Sequence, residues 1–557
     1  MLLGRLQALG PVIGHICEIA GTPGLSLGVL YHGEVIHQAN FGLRDVEAHL
    51  PPDENTIYVL GSLTKAVTAA MVAILVDEGK LSWITQLQHV IPTFRRPNYD
   101  PTRNITISDL LSHRTGLPSY DSFWLQSDNQ APILRKDAVS TLSYVPVAAD
   151  LRTELIYNNL AYEVLGQVIE TVSGTGFSSF LTNHILKPLG MNQTFYTSPP
   201  TSYRNIAKAY TTLQNTSVLS LPAPIYGEDV LMGPAGGIRS SVHDLLILYG
   251  AFIDAANSQI EKHRATIPDN PLKQLGHLWQ GLIAVPLSTV REASYASGWL
   301  RVQLPAPMGM GSGPGVDPML GEGLPSRLGL FHEGNIPGYT TFTAVFPETS
   351  SAVVVLSNSL GLTDSARLVG QLLIEELFGN TVNTTDYIEY AASTARESAS
   401  AMAVIRQQLV RSRTVKSPAN PLKAYVGIYY NSINTFCIEI SEGNGHLRVH
   451  FMGRKYEGFK LQPYQHNSFF WHLSYDELAQ RARYTTYPKE YYVIEFSCID
   501  DPEGDPAAYD VQCKTMNAIR WKHEFTIQGK GEIFYRKDHN EGPFDQNMAQ
   551  AVFNNEL

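Results

Sequence analysis

The stretch "GSLTKAVTAAMVAILVDEG" (Gly61–Gly79) holds Ser62 and Lys65 three residues apart, at the point where an apolar segment begins. The apolar residues predict a helix, and residues three apart on a helix share one face. A serine hydroxyl becomes a good nucleophile when a nearby base takes its proton, and a lysine amine can serve if burial lowers its pKa. A helix N-terminus also offers free N–H groups to an oxyanion. The pair is therefore either a nucleophile with its base, or a helix cap followed by a surface lysine.

The bulk composition describes a globular chain with more than one domain. Its 557 residues are too many for one ordinary core, and 44% of them are hydrophobic while 17% are charged. The net charge of −11 argues against a large nucleic-acid surface. No nucleic acid is therefore expected among the partners.

The cysteines and the apolar segments bear on the cellular compartment. The four cysteines fit neither a zinc site nor a disulfide framework; one disulfide could form near the C-terminus, but buried free thiols are favoured. The first 21 residues are typical of an amphipathic helix rather than of a signal peptide. The apolar run Ala66–Val76 is far shorter than the roughly 20 residues that a membrane span needs. A soluble, cytoplasmic protein with no membrane partner is expected.

Strand patterns occur at both ends of the first 380 residues, with helical patterns between them. Alternating residues over Ser26–Gly42 predict a β-hairpin, and short β-type runs return after about residue 290. The predicted helices are the one after Ser62, one within Ile105–Pro118 that starts at Ser108 and Asp109, and those at Tyr157–Gly174, Ser240–Ile253 and Ser365–Gly379. This order favours one antiparallel sheet built from distant parts of the chain and packed by helices, with an all-helical insertion.

Two later segments define the rest of the organisation. The Gly- and Pro-rich stretch Pro305–Pro325 is predicted to be a loop without a regular element, favoured as part of an active-site rim. After a charged helix and linker, short and evenly spaced aromatic strands predict a small antiparallel barrel or sandwich. The predicted domains are a catalytic domain at 1–393, a helix and linker at 394–420, and a barrel at 421–557.

Two further motifs are weak when taken singly. "YNN" (Tyr157–Asn159) opens a predicted helix, but Tyr-x-Asn also occurs at Tyr203 and Tyr429. "HEG" (His332–Gly334) lies on a predicted strand, where a histidine can equally be a hydrogen-bonded structural residue. Neither motif identifies a catalytic site without the other.

Taken in order, Ser-x-x-Lys, Tyr-x-Asn and His-x-Gly resemble the motifs of the penicillin-recognising serine enzymes. These are the class C β-lactamases, D,D-peptidases, D-aminopeptidases and related esterases. The segments "ISDLLSHRTGLPSY", "GPAGGIRSSVHDL" and "YNNLAYEVLGQVIETVSG" are also similar to segments of that family. The resemblance covers about residues 10–380. It implies a β-lactamase-like α/β (α+β) fold, an antiparallel sheet flanked by helices plus an all-helical subdomain, often followed by a lipocalin-like barrel.

The resemblance implies a role for each motif residue. Ser62 would be the acylated nucleophile and Lys65 its proton acceptor. Tyr157 would share the proton transfer, with its phenol acidified by Lys65, and Asn159 would hydrogen-bond Lys65 and the substrate amide. The backbone N–H groups of Ser62 and Asn335 would form the oxyanion hole.

The third motif departs from the family pattern. "HEG" replaces the Lys-Thr-Gly or Lys-Ser-Gly of most β-lactamases and D,D-peptidases, and a histidine is largely neutral at pH 7. His332 and Gly334 are expected to line the substrate strand without the permanent charge that suits a substrate carboxylate. Carboxylate-bearing β-lactams are therefore expected to be poor substrates. Glu333 should point to the opposite face of the strand, as a packing or surface residue.

The sequence thus predicts a serine hydrolase, peptidase-like or esterase-like, that acts through acyl-Ser62 on an amide or ester of a small molecule or peptide. An acyltransferase of secondary metabolism uses the same residues, and a non-catalytic scaffold of the same fold is the third alternative. No cofactor and no metal are expected, because His113, His243 and His332 are not at ligand spacing. The barrel could mediate a homo-oligomer or serve only as a scaffold.

Overall fold

The computed structural model describes residues 2–124, 129–196, 198–227, 229–287, 289–310, 317–379, 385–415, 418–483, 487–498 and 515–537. The chain divides into two compact units. The first comprises Met1–Val404 and Leu473–Thr486, and the second comprises Ile405–His472 and Tyr487–Leu557.

The helices of the described residues lie mostly in the first unit. In chain order they are α1 (Leu2–Ala8), α2 (Gly10–Ala20), α3 (Thr64–Asp77), α4 (Leu87–Val90), α5 (Ile107–Leu111), α6 (Ala138–Tyr144), α7 (Asn159–Ser173), α8 (Phe177–Leu181), α9 (Lys187–Leu189), α10 (Gly233–Gly236), α11 (Val242–Glu261), α12 (Leu275–Leu278), α13 (Ser365–Phe378), α14 (Tyr387–Ser412) and α15 (Tyr475–Gln480).

The strands of the first unit form one large sheet and several short ladders. They are β1 (Gly24–Tyr31), β2 (Glu34–Gly42), β3 (Tyr58–Val59), β4 (Tyr210–Thr212), β5 (Val218–Ser220), β6 (Arg239–Ser240), β7 (Ile283–Ala284), β8 (Ala293–Tyr295), β9 (Leu300–Leu304), β10 (Ala306–Pro307), β11 (Met319–Leu320), β12 (Arg327–Ile336), β13 (Tyr339–Phe346), β14 (Ser351–Ser357) and β15 (Ser359–Leu360). The large sheet has the order β2-β1-β14-β13-β12-β9-β8-β7, and its neighbours are antiparallel.

Helices cover both faces of this sheet. On one face, α1, α2 and α13 share a core with inward-pointing residues of β1, such as Leu27 and Val29. On the other face, α11 lies so close to Gly28 that a Cβ there would be 2.6 Å from a Val242 methyl carbon. The hairpin β1–β2 and the late strands β12–β14 meet in one sheet, as the sequence predicted.

The predicted helices are present, with corrected ends. The helix predicted at Tyr157–Gly174 is α7, the one at Ser365–Gly379 is α13, and the one at Ser240–Ile253 runs further, to Glu261. The predicted start of α5 at Ser108 and Asp109 was wrong. Thr106 is the N-cap, because its side chain and that of Asp109 form a reciprocal capping box.

The prediction that Pro305–Pro325 contains no regular element was also wrong. Its two ends form the short antiparallel pair β10–β11, and residues 311–316 lie outside the described residues. The Met308 carbonyl accepts a hydrogen bond from Gln371 of α13. The described part of this segment therefore packs on the α13 side of the sheet.

The second unit is a nearly closed antiparallel barrel. Its strands are β16 (Gly427–Tyr430), β17 (Cys437–Gly443), β18 (His446–Phe451), β19 (Gly458–Lys460), β20 (Gln462–Pro463), β21 (Ser468–Phe470), β22 (Val493–Ser497), β23 (Ala518–Trp521) and β24 (Glu532–Lys537). The sheet order runs from β19 through β18, β17, β16, β24, β23, β22 and β21 to β20. The two edge strands are separated in the chain by Leu461 alone, so the sheet curls until its edges nearly meet.

The barrel interior is aromatic. Trp471 and Trp521 are fully buried, and the Trp521 ring lies 4.8 Å from that of Phe451.

Cys17 of the first unit and Cys437 of the barrel are buried free thiols, as expected, and burial raises the pKa of each to about 12. Cys498 is disulfide-bonded, which corrects that expectation for this residue.

Candidate active site

Ser62 lies at the junction that leads into the central helix of the first unit. It is the middle residue of a 3₁₀ turn, Gly61–Leu63, that continues directly into α3. Ser62 is partly exposed, whereas every residue of α3 from Thr64 to Leu75 is buried. The alternative of a surface lysine is therefore wrong, because Lys65 has no exposed surface.

The Lys65 amine is satisfied by three oxygen atoms. Its Nζ lies 2.9 Å from Ser62 Oγ, 2.8 Å from Asn159 Oδ1 and 2.9 Å from the Ala235 carbonyl oxygen. Burial lowers the pKa of Lys65 to about 7, and the charge of Asp121 opposes that fall. At neutral pH a large fraction of Lys65 is therefore uncharged, with a lone pair available to accept the Ser62 proton.

Tyr157 directly precedes Asn158, the N-cap residue of α7. Its buried hydroxyl has no partner of standard hydrogen-bond geometry among the described residues. Burial raises the pKa of Tyr157, and Ser62 offsets part of that rise. The Lys65 Nζ lies 4.9 Å from the centre of the Tyr157 ring. Tyr157 is thus a neutral phenol, which differs from the expectation that Lys65 acidifies it.

His332 is buried and both of its ring nitrogens are engaged. Nδ1 lies 2.7 Å from the Glu333 carbonyl oxygen, which can only accept, so the network assigns the proton to Nδ1. Nε2 therefore accepts from the Tyr295 hydroxyl at 3.0 Å. Burial, and secondarily the charge of Lys65, lower the pKa of His332 to about 3. His332 supplies no positive charge to a substrate.

Two glycines bring β12 against the Ser62 turn. A Cβ on Gly61, whose φ is +57°, would lie 3.1 Å from Gly334 Cα and 3.3 Å from the Asn335 nitrogen. A Cβ on Gly334 would lie 2.1 Å from the Leu60 carbonyl oxygen. These distances place the backbone at Asn335 beside the Ser62 turn, and only residues without a side chain fit so close.

Glu333 points away from this site, as the strand alternation predicted. It is buried, and its Oε1 accepts from the Met310 N–H at 3.1 Å. Burial raises the pKa of Glu333 to about 8, although nearby Arg367 acts in the opposite direction. Of the two expected alternatives, Glu333 is a packing residue and not a surface residue.

His113 is a site residue whose position the sequence reasoning missed. Its carbonyl oxygen accepts from the Ile156 N–H at 2.9 Å, and its Nδ1 accepts from the Asn158 N–H at 3.0 Å. Its ring lies 4.2 Å from that of Tyr157. His113 therefore holds the backbone N–H groups of the two residues that flank Tyr157. It does so with a φ of +57°, a conformation that costs a non-glycine residue energy.

Asp121 is a second missed residue. Its carboxylate accepts hydrogen bonds from the Asn159 side-chain amide, and its charge acts on Lys65. It follows the segment "GLPSY" in a stretch without periodicity, so only the family-like motif next to it could have drawn attention to it. Among the described residues, no cluster of three or more His, Cys, Asp or Glu side chains is arranged to hold a metal ion.

The family follows from comparison with known sequences. The Beta-lactamase family model matches residues 12–377, well over half of the chain. The chain therefore belongs to the β-lactamase family, as the motifs suggested. A second model, a domain of unknown function (DUF3471), matches residues 411–533.

The chain is similar in sequence to named hydrolases and in fold to a penicillin-binding protein homologue. The unguisins hydrolase ungD' of Aspergillus campestris is 27% identical over 76% of this chain and 74% of that protein. The unguisins hydrolase ungD of Aspergillus violaceofuscus is 28% identical over 73% and 72%, and the Protein flp of Staphylococcus aureus is 24% identical over 63% and 62%. The octameric penicillin-binding protein homologue of Pyrococcus abyssi has a TM-score of 0.55, 23% identity, and coverage of 85% of this chain and 94% of that one.

These comparisons support a β-lactamase-family serine hydrolase, and the structural likeness shows the fold. The predicted fold class is confirmed for both parts of the chain. In the part of the chain that the structure describes, no helix is both long and apolar enough to cross a membrane. The lipocalin-like character of the barrel and the three domain boundaries stay predictions.

Proposed function

We propose that this protein hydrolyses an amide or ester of a small molecule or peptide through an acyl intermediate on Ser62. The observation that carries the proposal is the contact of 2.9 Å between Ser62 Oγ and the Nζ of a fully buried lysine. Because burial lowers the pKa of that lysine to about 7, it can serve as a base near neutral pH.

The acylation step uses the neutral form of Lys65. As Ser62 Oγ bonds to the substrate carbonyl carbon, its proton passes to Lys65, and the carbonyl oxygen takes up negative charge. The bond to the leaving nitrogen or oxygen then breaks as that atom receives a proton. Tyr157, a neutral phenol beside Ser62, shares this transfer. Water then attacks the acyl carbon, and its proton passes back through Tyr157 and Lys65 to Ser62 Oγ as the acyl bond to Oγ breaks. This step releases the acid and restores Ser62.

The developing oxyanion would be held by the backbone N–H groups of Ser62 and Asn335. The close approach of Gly61 and Gly334 supports this arrangement, because it brings the two backbone segments together. Removal of one such donor typically costs about 100–1000-fold in rate. His332 and Gly334 would line the adjacent substrate strand.

The substrate is proposed to be an amide or ester without a carboxylate beside the reacting group. His332 is neutral and offers no fixed charge to a carboxylate. Two relatives are named for the hydrolysis of unguisins. We propose that this chain likewise acts on a defined small molecule or peptide of secondary metabolism.

An acylating probe tests the nucleophile. A fluorophosphonate should add once to the wild-type protein and not to Ser62→Ala, read by intact mass. An unlabelled wild type would favour the scaffold alternative, and labelling of Ser62→Ala would place the nucleophile elsewhere.

A substrate panel tests the reaction class. We expect turnover of p-nitrophenyl esters and poor turnover of nitrocefin; rapid nitrocefin cleavage would contradict the assignment of His332. Formation of an acylated product when alcohol or amine acceptors are added, at the expense of the free acid, would instead identify an acyltransferase.

A further inference from the structure

The carboxylate of Asp121 collects hydrogen bonds beside the proposed base. Asp121 begins a 3₁₀ turn, Asp121–Phe123, directly after Tyr120, whose φ is +52°. Its Oδ1 accepts from the Ser119 hydroxyl, from the Trp124 indole N–H at 2.9 Å and from Asn159 Nδ2 at 3.1 Å. Asn159 Nδ2 also lies 3.2 Å from Oδ2. Each of these partners is a donor, so the carboxylate acts towards all of them as an acceptor.

This contact fixes the orientation of the Asn159 amide. With Nδ2 towards the carboxylate, Oδ1 faces Lys65 and accepts from Nζ at 2.8 Å. A rotated amide would set its oxygen against the carboxylate and its NH₂ against the amine, which is unfavourable on both sides. Ser119 strengthens the arrangement, because its hydroxyl accepts from the Asn159 backbone N–H at 3.0 Å while donating to Asp121.

The same carboxylate is a negative charge that acts on Lys65. Among the described residues, the titratable groups near Lys65 also include the Tyr157 and Tyr162 rings, at 4.9 and 5.4 Å from Nζ, and His113 and His332. Burial raises the pKa of both tyrosines and lowers the pKa of both histidines, so all four are neutral near pH 7. Asp121 counteracts the effect of burial on Lys65.

We infer that Asp121 is a positioning residue of the acylation machinery, which holds the Asn159 amide towards Lys65 and supplies the negative charge that Lys65 faces. The inference rests on the proposed role of Ser62 and Lys65. It also departs from the role that the family resemblance implies, because Asn159 Nδ2 is engaged by Asp121 rather than left for a substrate amide.

The decisive test is the pH profile of kcat/KM for p-nitrophenyl acetate in Asp121→Asn. A nearby carboxylate stabilises the protonated amine, so its removal lowers the pKa of Lys65 further. The acid limb should shift to lower pH by about one unit. The plateau should fall about 10–100-fold, because the new side-chain NH₂ would face the donor Asn159 Nδ2 and disturb the orientation of the Asn159 amide. Asp254→Asn, which makes the same change at an exposed position of α11, should match the wild type.

A second variant should shift the acid limb in the opposite direction without removing the carboxylate. Trp124→Phe removes one donor from Oδ1 and leaves more negative charge facing Lys65, so its acid limb should shift to higher pH. This variant decides the matter if Asp121→Asn fails to fold, as judged by circular dichroism. If Asp121 had only a structural role, Asp121→Asn would lower the plateau of kcat/KM, but the acid limbs of both variants would stay at the wild-type pH. That result would overturn the inference.

Fluorophosphonate labelling in the same series separates this inference from the proposed function. If wild-type Ser62 is labelled but the acid limbs of the two variants do not shift, the role inferred for Asp121 is wrong and the acyl-enzyme proposal stands. If wild-type Ser62 is not labelled, the acyl-enzyme proposal itself fails.

Discussion

Two of the cations buried in the first unit, Lys65 and Arg367, have opposite surroundings. Arg367 lies behind β12 with Glu333, Asp317 and Asp364 around it, and its pKa is raised, although burial alone would lower it. Lys65, in front of β12, contacts neutral oxygens and sees one carboxylate across an amide, and burial lowers its pKa to about 7. A structural cation is neutralised by carboxylates at close range, whereas a base is kept among neutral partners so that it can lose its proton.

The largest effect is expected where the base is given a permanent charge. Lys65→Arg keeps a cation at this position but cannot release a proton near neutral pH. We expect kcat/KM for an activated ester to fall about 100–10,000-fold, measured against wild type at pH 8. Circular dichroism should show an intact fold. Activity within tenfold of wild type would mean that Lys65 is not the proton acceptor.

Removal of the structural cation should instead cost stability. Arg367→Met leaves its ion-pair partner Asp317 and the neighbouring Asp364 buried without a counter-charge. We expect the free energy of unfolding to fall by about 3–5 kcal/mol, measured by urea denaturation. The protein that remains folded should keep most of its kcat. A stable variant with lost activity would reverse the assignment of the two cations.

A smaller effect is expected from the neutral histidine beside the base. His113→Asn keeps an acceptor near the Asn158 N–H and tolerates the positive φ, whereas His113→Leu leaves that N–H unpaired. We expect kcat to fall about tenfold or more in the leucine variant and much less in the asparagine variant. Steady-state kinetics on both variants checks this order. Equal losses would show that only ring packing matters.

The smallest effect concerns pH and stability behind the strand. Burial raises the pKa of Glu333 to about 8, so the folded state binds a proton that the unfolded state has lost between about pH 4.5 and 8. The contribution of Glu333 to stability is therefore complete at low pH and falls as the pH rises through about 8. Glu333→Gln should flatten that part of the pH–stability curve, measured by urea denaturation at pH 5 and 8. An unchanged slope would contradict the burial of this carboxyl.

The sequence predicted the parts of the site that depend on local sequence patterns. Spacing placed Ser62 and Lys65 on one face, strand alternation separated Glu333 from His332, and helical periodicity found α7. The sequence did not predict the roles of Asp121 and His113, because these roles depend on side-chain hydrogen bonds between loops that show no periodic sequence pattern.

The contact between Gly61 and Gly334 has a consequence for how such a protein can diversify. Two backbones 273 positions apart in the chain meet where either Cβ would intrude, so neither position tolerates even the smallest side chain without moving β12. A substitution at either position is therefore expected to disturb the gap that would receive the oxyanion. Changes of substrate preference are therefore expected from side chains that line the substrate rather than from these two glycines.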